Sequence, residues 1–247
     1  MKILAHTLLL LLIVGCSSKP VQTKPDPTPE AAIEPVVETS DATETSTPAA
    51  KPAQDFIITT GVHGNEPSGA RLQPLLEELG YNVFGPCNPW GLENDNRHLQ
   101  DGQDLNRVFG STDVPEAEAV KAFLKDNPPA FLLDLHEEPD GEACYLIVNG
   151  PDDEIGRKIV DALKDDWDFA AEVNQWGVKG TDGVVQPSYQ ELQFQAFAKI
   201  YSLAFYAWKT YGCTAIVVEC PGSWPMEKKK KFHLAVINTA EKFTGED

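Results

Sequence analysis

The sequence is short of positive charge: 20 Lys and Arg side chains stand against 38 Asp and Glu, a formal net charge of −18 over 247 residues. No basic stripe exists to meet phosphates, which excludes a nucleic-acid partner. The one basic cluster, KKKK at 228–231, reads as a solvated helix face. Also missing is an apolar run long enough to cross a bilayer. No C-x-x-C pair occurs, which argues against a thiolate zinc knuckle. Besides Cys16 the chain has Cys87, Cys144, Cys213 and Cys220. An exported setting permits disulfides, and four cysteines allow three pairings that spacing does not separate. No internal repeat is present.

What is present begins with an address. Residues 1–16, MKILAHTLLLLLIVGC, combine an early Lys, an apolar centre and a small-residue end. That is an export signal and not a membrane span. Its last four residues, IVGC, resemble the lipobox of bacterial lipoproteins. The resemblance implies cleavage before Cys16, lipidation of Cys16 as the membrane anchor and, with Ser17 next, the outer membrane of a two-membraned bacterium, facing the periplasm. Residues 17–54 hold seven prolines among Thr, Ala, Glu and Lys. Too few large apolar side chains occur there to offset the entropy of ordering, so the segment reads as a disordered tether. Such a tether spans on the order of 30–35 Å.

Residues 55–247 suffice for one domain with a real core. DFIITTG, YNVFGPC, AFLLDLH, CYLIVN and CTAIVVEC read as strands. PSGARLQPLLEELG (closed by Gly80 and kinked at Pro74), PEAEAVKAFLKDN, DDEIGRKIVDALKDD and the stretches 197–211 and 225–243 read as helices. The alternation predicts a single α/β domain whose mixed, mostly parallel sheet is covered by helices on both faces.

In such sheets ligands gather at the carboxyl ends of strands. Four predicted ends carry capable groups: His63 with Glu66, the Asn88 loop, His136 and Glu219. A catalytic zinc takes three N or O protein ligands and keeps one position open. His63 and Glu66 offer two from one turn, in GVHGNEPSG, and His136 offers the third. Asp134, two residues before His136, faces the same side and is placed to orient it. Glu219 closes an apolar run, where desolvation raises a carboxyl pKa and suits it to proton transfer. The loop at 88–109 holds Arg97 and then DLNR, with Asn106 and Arg107. A guanidinium fork matches a carboxylate, an adjacent amide adds a further bond, and a second arginine suits a developing oxyanion.

GVHGNEPSG, NPWG, RHLQDGQDLNRVF, LLDLHEE and VVECPG, in that order, resemble the zinc carboxypeptidase superfamily, including its succinylglutamate desuccinylase and aspartoacylase branch. The resemblance spans nearly all of 55–247 and implies that superfamily's fold. It also implies one Zn2+ on His63, Glu66 and His136, and Glu219 as base and then acid. Asn106 and Arg107 would hold the substrate's free carboxylate and Arg97 would polarise the scissile carbonyl. The digestive members place a tyrosine over the substrate; Tyr189, Tyr201 and Tyr206 are available here, none at a matching offset. The deacylase branch adds a C-terminal β-rich piece for which this chain has no counterpart. An open cleft in an envelope setting favours short or peptidoglycan-derived peptides, with N-acyl amino acids as the alternative substrate. A cysteine hydrolase and a non-catalytic binding lipoprotein are the rival classes.

Overall fold

Apolar runs bounded by turn residues form the centre of the fold. The computed structural model describes residues 53–150, 154–175, 177–198 and 200–244. The export signal, Cys16 and all but the last two residues of the tether lie outside them. The first half runs β1 (Phe56–Thr60), α1 (Ser68–Glu78), β2 (Asn82–Phe84), α2 (Pro89–Glu93), a single 3-10 turn (Leu105–Arg107), α3 (Pro115–Asp126) and β3 (Phe131–Glu138). The second runs β4 (Tyr145–Asn149), α4 (Ile155–Leu163), β5 (Glu172–Gln175), β6 (Val178–Thr181), β7 (Val184–Val185), α5 (Tyr189–Phe197), α6 (Leu203–Tyr211), β8 (Thr214–Pro221) and α7 (Met226–Thr244).

The eight strands form one sheet in the order β2-β1-β3-β8-β4-β7-β6-β5. The strands β2, β1, β3 and β8 run parallel, β4 is antiparallel to β8 and parallel to β7, and β5 to β7 form an antiparallel meander. Alternation along the strands divides the core. Ile58, Leu133, Leu135, Ile216 and Val218 pack with Leu72 and Leu76 of α1, Ile159 of α4 and Phe232 and Val236 of α7. Ile57, Leu132, Ile147 and Val217 face the other way, onto Val120 and Leu124 of α3 and Ala204 and Ala207 of α6. Both faces are therefore covered, which is why the central strands are continuous apolar runs.

Three features differ from the sequence expectation. The stretch 197–211 is not one helix. The backbone of Tyr201 bonds to the chain at 107–109, its N–H to the Arg107 carbonyl and its carbonyl to the Phe109 N–H, both 3.1 Å. Ser202 then caps α6 by accepting the Phe205 N–H. The β5–β7 meander goes unanticipated because β5, EVNQ, alternates exposed and half-buried residues with a single apolar member. Finally, KKKK is not wholly solvated. Helical periodicity puts Lys229 on the face of Phe232, His233 and Val236, where it is 6 % exposed and ion-paired to Glu137. Only then does a lysine belong in a core.

The four cysteines are buried and unpaired. His233, on the inner face of α7, is fully buried, with Nε2 3.0 Å from Ser68 Oγ and no partner for Nδ1. Burial first, then the positive charges of His136 and Lys229, hold its pKa down at about 3, against an ordinary 6.5. Its protonation therefore favours the unfolded chain, and stability is lost as pH falls from about 6.5 toward about 3. The expected loss attributable to this residue at pH 5 is roughly 2 kcal/mol. Urea unfolding of chelator-treated protein between pH 7 and 5 checks it: His233→Gln should flatten the acid limb, and an unchanged limb would clear His233 as its source.

Candidate metal centre

The site is built where β1, β3 and β8 run side by side. After β1 the chain turns at Gly61, whose φ of 65° lies in the left-handed region. The Glu66 N–H closes the following turn on the His63 carbonyl at 3.2 Å. Gly64 lies against α2 so closely that a Cβ there would sit 1.9 Å from the Gly91 carbonyl carbon. That contact fixes the His63–Glu66 turn and requires glycine. His136 comes from β3, whose register places Asp134 beside Thr59 and His136 beside Glu219.

Two imidazoles converge on one carboxylate. His63 Nδ1 lies 2.8 Å from Glu66 Oε1, and His136 Nδ1 lies 2.7 Å from Glu66 Oε2. The far nitrogens are held in the same manner: His63 Nε2 is 3.0 Å from Asp104 Oδ1 and His136 Nε2 is 2.9 Å from Asp134 Oδ2. Asp134 is itself held by the Thr59 hydroxyl at 2.8 Å. One donor atom from each of His63, Glu66 and His136 lies within 4.8 Å of the others, and all three residues are buried. An imidazole with carboxylates on both nitrogens needs either a second proton or a cation at one side. With a donor atom of each of the three residues this close together, a divalent ion suits the set. The two Nε2–H groups then remain on Asp104 and Asp134, the outer support that metal-bound histidines require.

Charge follows this arrangement. Burial alone would raise Glu66, but His136 and His63 outweigh it and keep the carboxyl well below its usual range. Burial likewise pulls His136 down, and the Asp134 and Glu66 carboxylates reverse this, leaving it well above 6.5. Glu219 is the opposite case. It stands across from His136 on the adjacent strand, about 4.8 Å away in the sheet direction. Its Oε2 is buried without a hydrogen-bond partner. Burial pushes its pKa up to about 8; His136 opposes this and the carboxylates of Glu66, Glu138 and Asp134 add to it. One cavity thus contains an anchored anion and a carboxyl group poised to gain or lose a proton near neutrality.

The loop residues complete the walls. Arg97 donates from Nε and Nη2 to Asp104 Oδ2, at 3.3 and 3.2 Å, and from Nη1 to Glu66 Oε1 at 3.1 Å. Asp104 caps the 3-10 turn by accepting the Asn106 N–H. Asn106 spends its Oδ1 on the Leu203 N–H at 2.8 Å, which leaves its amide NH2 as the end that can donate to a ligand. Arg107 follows, anchored by Nη1 on the Asn106 carbonyl. His63, Glu66, Arg97, Asn106, Arg107 and Glu219 all line one cavity of about 270 Å³.

His136 and Glu219 sit inside their strands, which continue to Glu138 and Pro221, and not at the loops beyond. Asn88 is structural: it caps α2 through the Gly91 N–H and holds the His98 carbonyl at 3.1 Å, which positions the approach to Arg97. None of Tyr189, Tyr201 and Tyr206 lines the cavity. Tyr145 pairs with Glu219 across β4 and β8 and donates its hydroxyl to Glu138, which lines the cavity. Asp104 was visible only as the first letter of DLNR. Its distance of 41 residues from His63 gave no local sign of the contact. The cysteines line no part of this cavity, and burial raises all four thiol pKa values, Cys213 to about 12.

No family model and no curated protein matches the chain. Solved structures do. A candidate metallopeptidase from Shewanella amazonensis SB2B matches with a TM-score of 0.61 and 20% identity, over 81% of this chain and 79% of that one. One from Shewanella baltica OS155 matches at 0.58 and 16%, over 81% and 77%. The mDAP-bound form of Helicobacter pylori Csd4, a D,L-carboxypeptidase, matches at 0.56 and 17%, over 76% of this chain and 50% of Csd4. At these identities the likeness is one of fold: the chain shares the α/β architecture of these solved structures.

Gly64→Ala should displace the His63–Glu66 turn and weaken metal binding by about ten-fold or more, the scale for disturbed ligand support. Metal competition against a chromophoric chelator, with circular dichroism to follow the fold, measures this. Unchanged affinity would show that the Gly64–Gly91 contact does not set the ligand turn.

Proposed function

We propose that this protein is a zinc-dependent, metallocarboxypeptidase-like hydrolase that cleaves an amide bond next to a free carboxylate in short or peptidoglycan-derived peptides. The observation that carries the reading is the convergence of His63 Nδ1, His136 Nδ1 and both Glu66 oxygens, with each Nε2 supported by an aspartate. Two imidazoles and a carboxylate match the three-ligand, open-position pattern of catalytic zinc. A zinc ion held there supplies Lewis acidity toward a carbonyl oxygen and lowers the pKa of water.

The chain's own residues account for the rest. Arg107 and the Asn106 amide hold the substrate's terminal carboxylate, placing the scissile bond beside the metal ligands. Arg97 has its guanidinium plane set by Asp104 and presents Nη1 next to Glu66, where negative charge develops on the carbonyl oxygen. Glu219 takes a proton from the attacking water and returns it to the leaving amine; burial, by raising its pKa above the ordinary carboxyl value, brings it toward the range where a proton can be both taken up and given back. The fold shared with a D,L-carboxypeptidase known with mDAP and with a tripeptide bound supports a peptide substrate. In this reading Cys16 carries the lipid anchor, 17–54 is the tether, and the domain works in the periplasm at the outer membrane.

Three measurements test the proposal. Purified protein should hold one equivalent of zinc, lose activity with a chelator and recover it with zinc. Glu219→Gln should lower kcat by about 10²–10⁴ while metal content stays constant. A fully active variant would remove Glu219 from its role. Arg107→Lys should reduce kcat/KM by about ten-fold or more, because an ammonium cannot reproduce the paired guanidinium bonds. Hydrolysis of N-acyl amino acids in place of peptides would redirect the reading to a deacylase.

A further inference from the structure

Six carboxylates form or border the site, and four are neutralised within the protein. Glu66 meets His63, His136 and Arg97; Asp104 meets His63 and Arg97; Asp134 meets His136; Glu137 meets Lys229. Of these six, only Glu219 and Glu138 have no cationic or imidazole partner at ion-pair distance among the described residues. Glu219 has its role in proton transfer. Glu138 has none.

Glu138 is the last residue of β3, two past His136 and so on the same face of the sheet, and it lines the same cavity. It is held firmly. Its carbonyl accepts the N–H groups of Gly141 and Gly222, at 3.1 and 2.8 Å. The turn wraps its side chain so closely that a Cβ on Gly141 would come within 2.7 Å of Glu138 Cγ. The Tyr145 hydroxyl and Gln175 Nε2 both donate to Oε2, at 2.7 and 3.3 Å. Those two bonds ask only for a neutral acceptor, which a glutamine would supply. The negative charge and Oε1 are left over. The opposite chemistry lines the same cavity in Arg97 and Arg107.

We propose that Glu138 is a specificity-determining residue that receives an ammonium group of the substrate, so that the favoured substrate is a short peptide carrying both a free carboxylate and a free amine. The assignment rests on the peptidase reading and deepens it. The amine is either the peptide's own amino terminus or a side-chain amine, and the two are separated experimentally.

The test uses the full-length, metal-loaded protein and a tripeptide with one side-chain amine in four forms: unmodified, α-N-acetylated, side-chain-acetylated and doubly acetylated. kcat/KM is read on each, and Kd is read by calorimetry on Glu219→Gln. Acetylating the recognised amine should cost about ten-fold or more in both quantities. Glu138→Gln should shrink that preference to under about two-fold while leaving zinc content unchanged; the preference is a ratio taken within each variant, so any effect of the lost charge on Glu219 cancels from it. Glu118→Gln, a remote exposed change of equal charge, should leave the preference intact. Which single acetylation carries the effect names the amine. Equal handling of all four peptides by the parent, or a preference that survives in Glu138→Gln, overturns the assignment and leaves the peptidase reading standing. Glu138-dependent binding of the amine forms without cleavage of any form upholds the assignment and overturns the peptidase reading. Absence of both binding and cleavage overturns both.

Discussion

The Glu66 carboxylate holds the site together. Its two oxygens receive His63 from the turn after β1, His136 from β3, the Arg97 guanidinium from the long loop, and the Glu137 backbone N–H at 3.1 Å. A carboxylate 2 % exposed is costly to ionise alone. It is tolerated because four donors are gathered on its two oxygens. The reverse also holds: each imidazole would be misplaced without it. Three segments separated widely in sequence are thus tied by one buried charge.

Register supplies the precision. Parallel pairing sets Asp134, His136 and Glu138 in one row and Val217, Glu219 and Pro221 in the next. Glu66 and Glu219 line one cavity, yet their acidities are shifted in opposite directions. Positive partners surround the first, while the second has hydrocarbon, a buried free oxygen and other acids nearby. The opposite face of β3 carries a brace. Glu137 accepts the Ser68 N–H at 2.6 Å and pairs with Lys229, so α7, β3 and the start of α1 are locked immediately behind the ligand turn.

Much of this was legible in the residues. Strands buried on both faces declare themselves as apolar runs, and FIITT, FLLDL and TAIVV did so. The clustering of His63, Glu66 and His136 was legible because His63 and Glu66 share a turn and His136 follows such a run. What could not be read were contacts made across the sheet or between loops. Asp104 supports His63 from 41 positions away. Lys229 resembled its three neighbours in KKKK, and only the 3.6-residue period, once the helix was placed against Glu137, separates it from them. The meander β5–β7 escaped because its strands are short and half exposed, so hydrophobic periodicity has little to report. Tyr145 was read as part of a strand, while its hydroxyl contact with Glu138 depends on tertiary packing.

The four thiols have a consequence of their own. Each lies in the interior as a separate small apolar filler, with burial holding it in the protonated, unreactive form. Among the described residues the folded domain then offers no thiol for an oxidase to staple or a reductase to keep open. Their exposure to oxidation is confined to the interval before the core closes, when the same four sulfurs are bare and can cross-link wrongly. Speed of folding, and not redox chemistry, is what protects them.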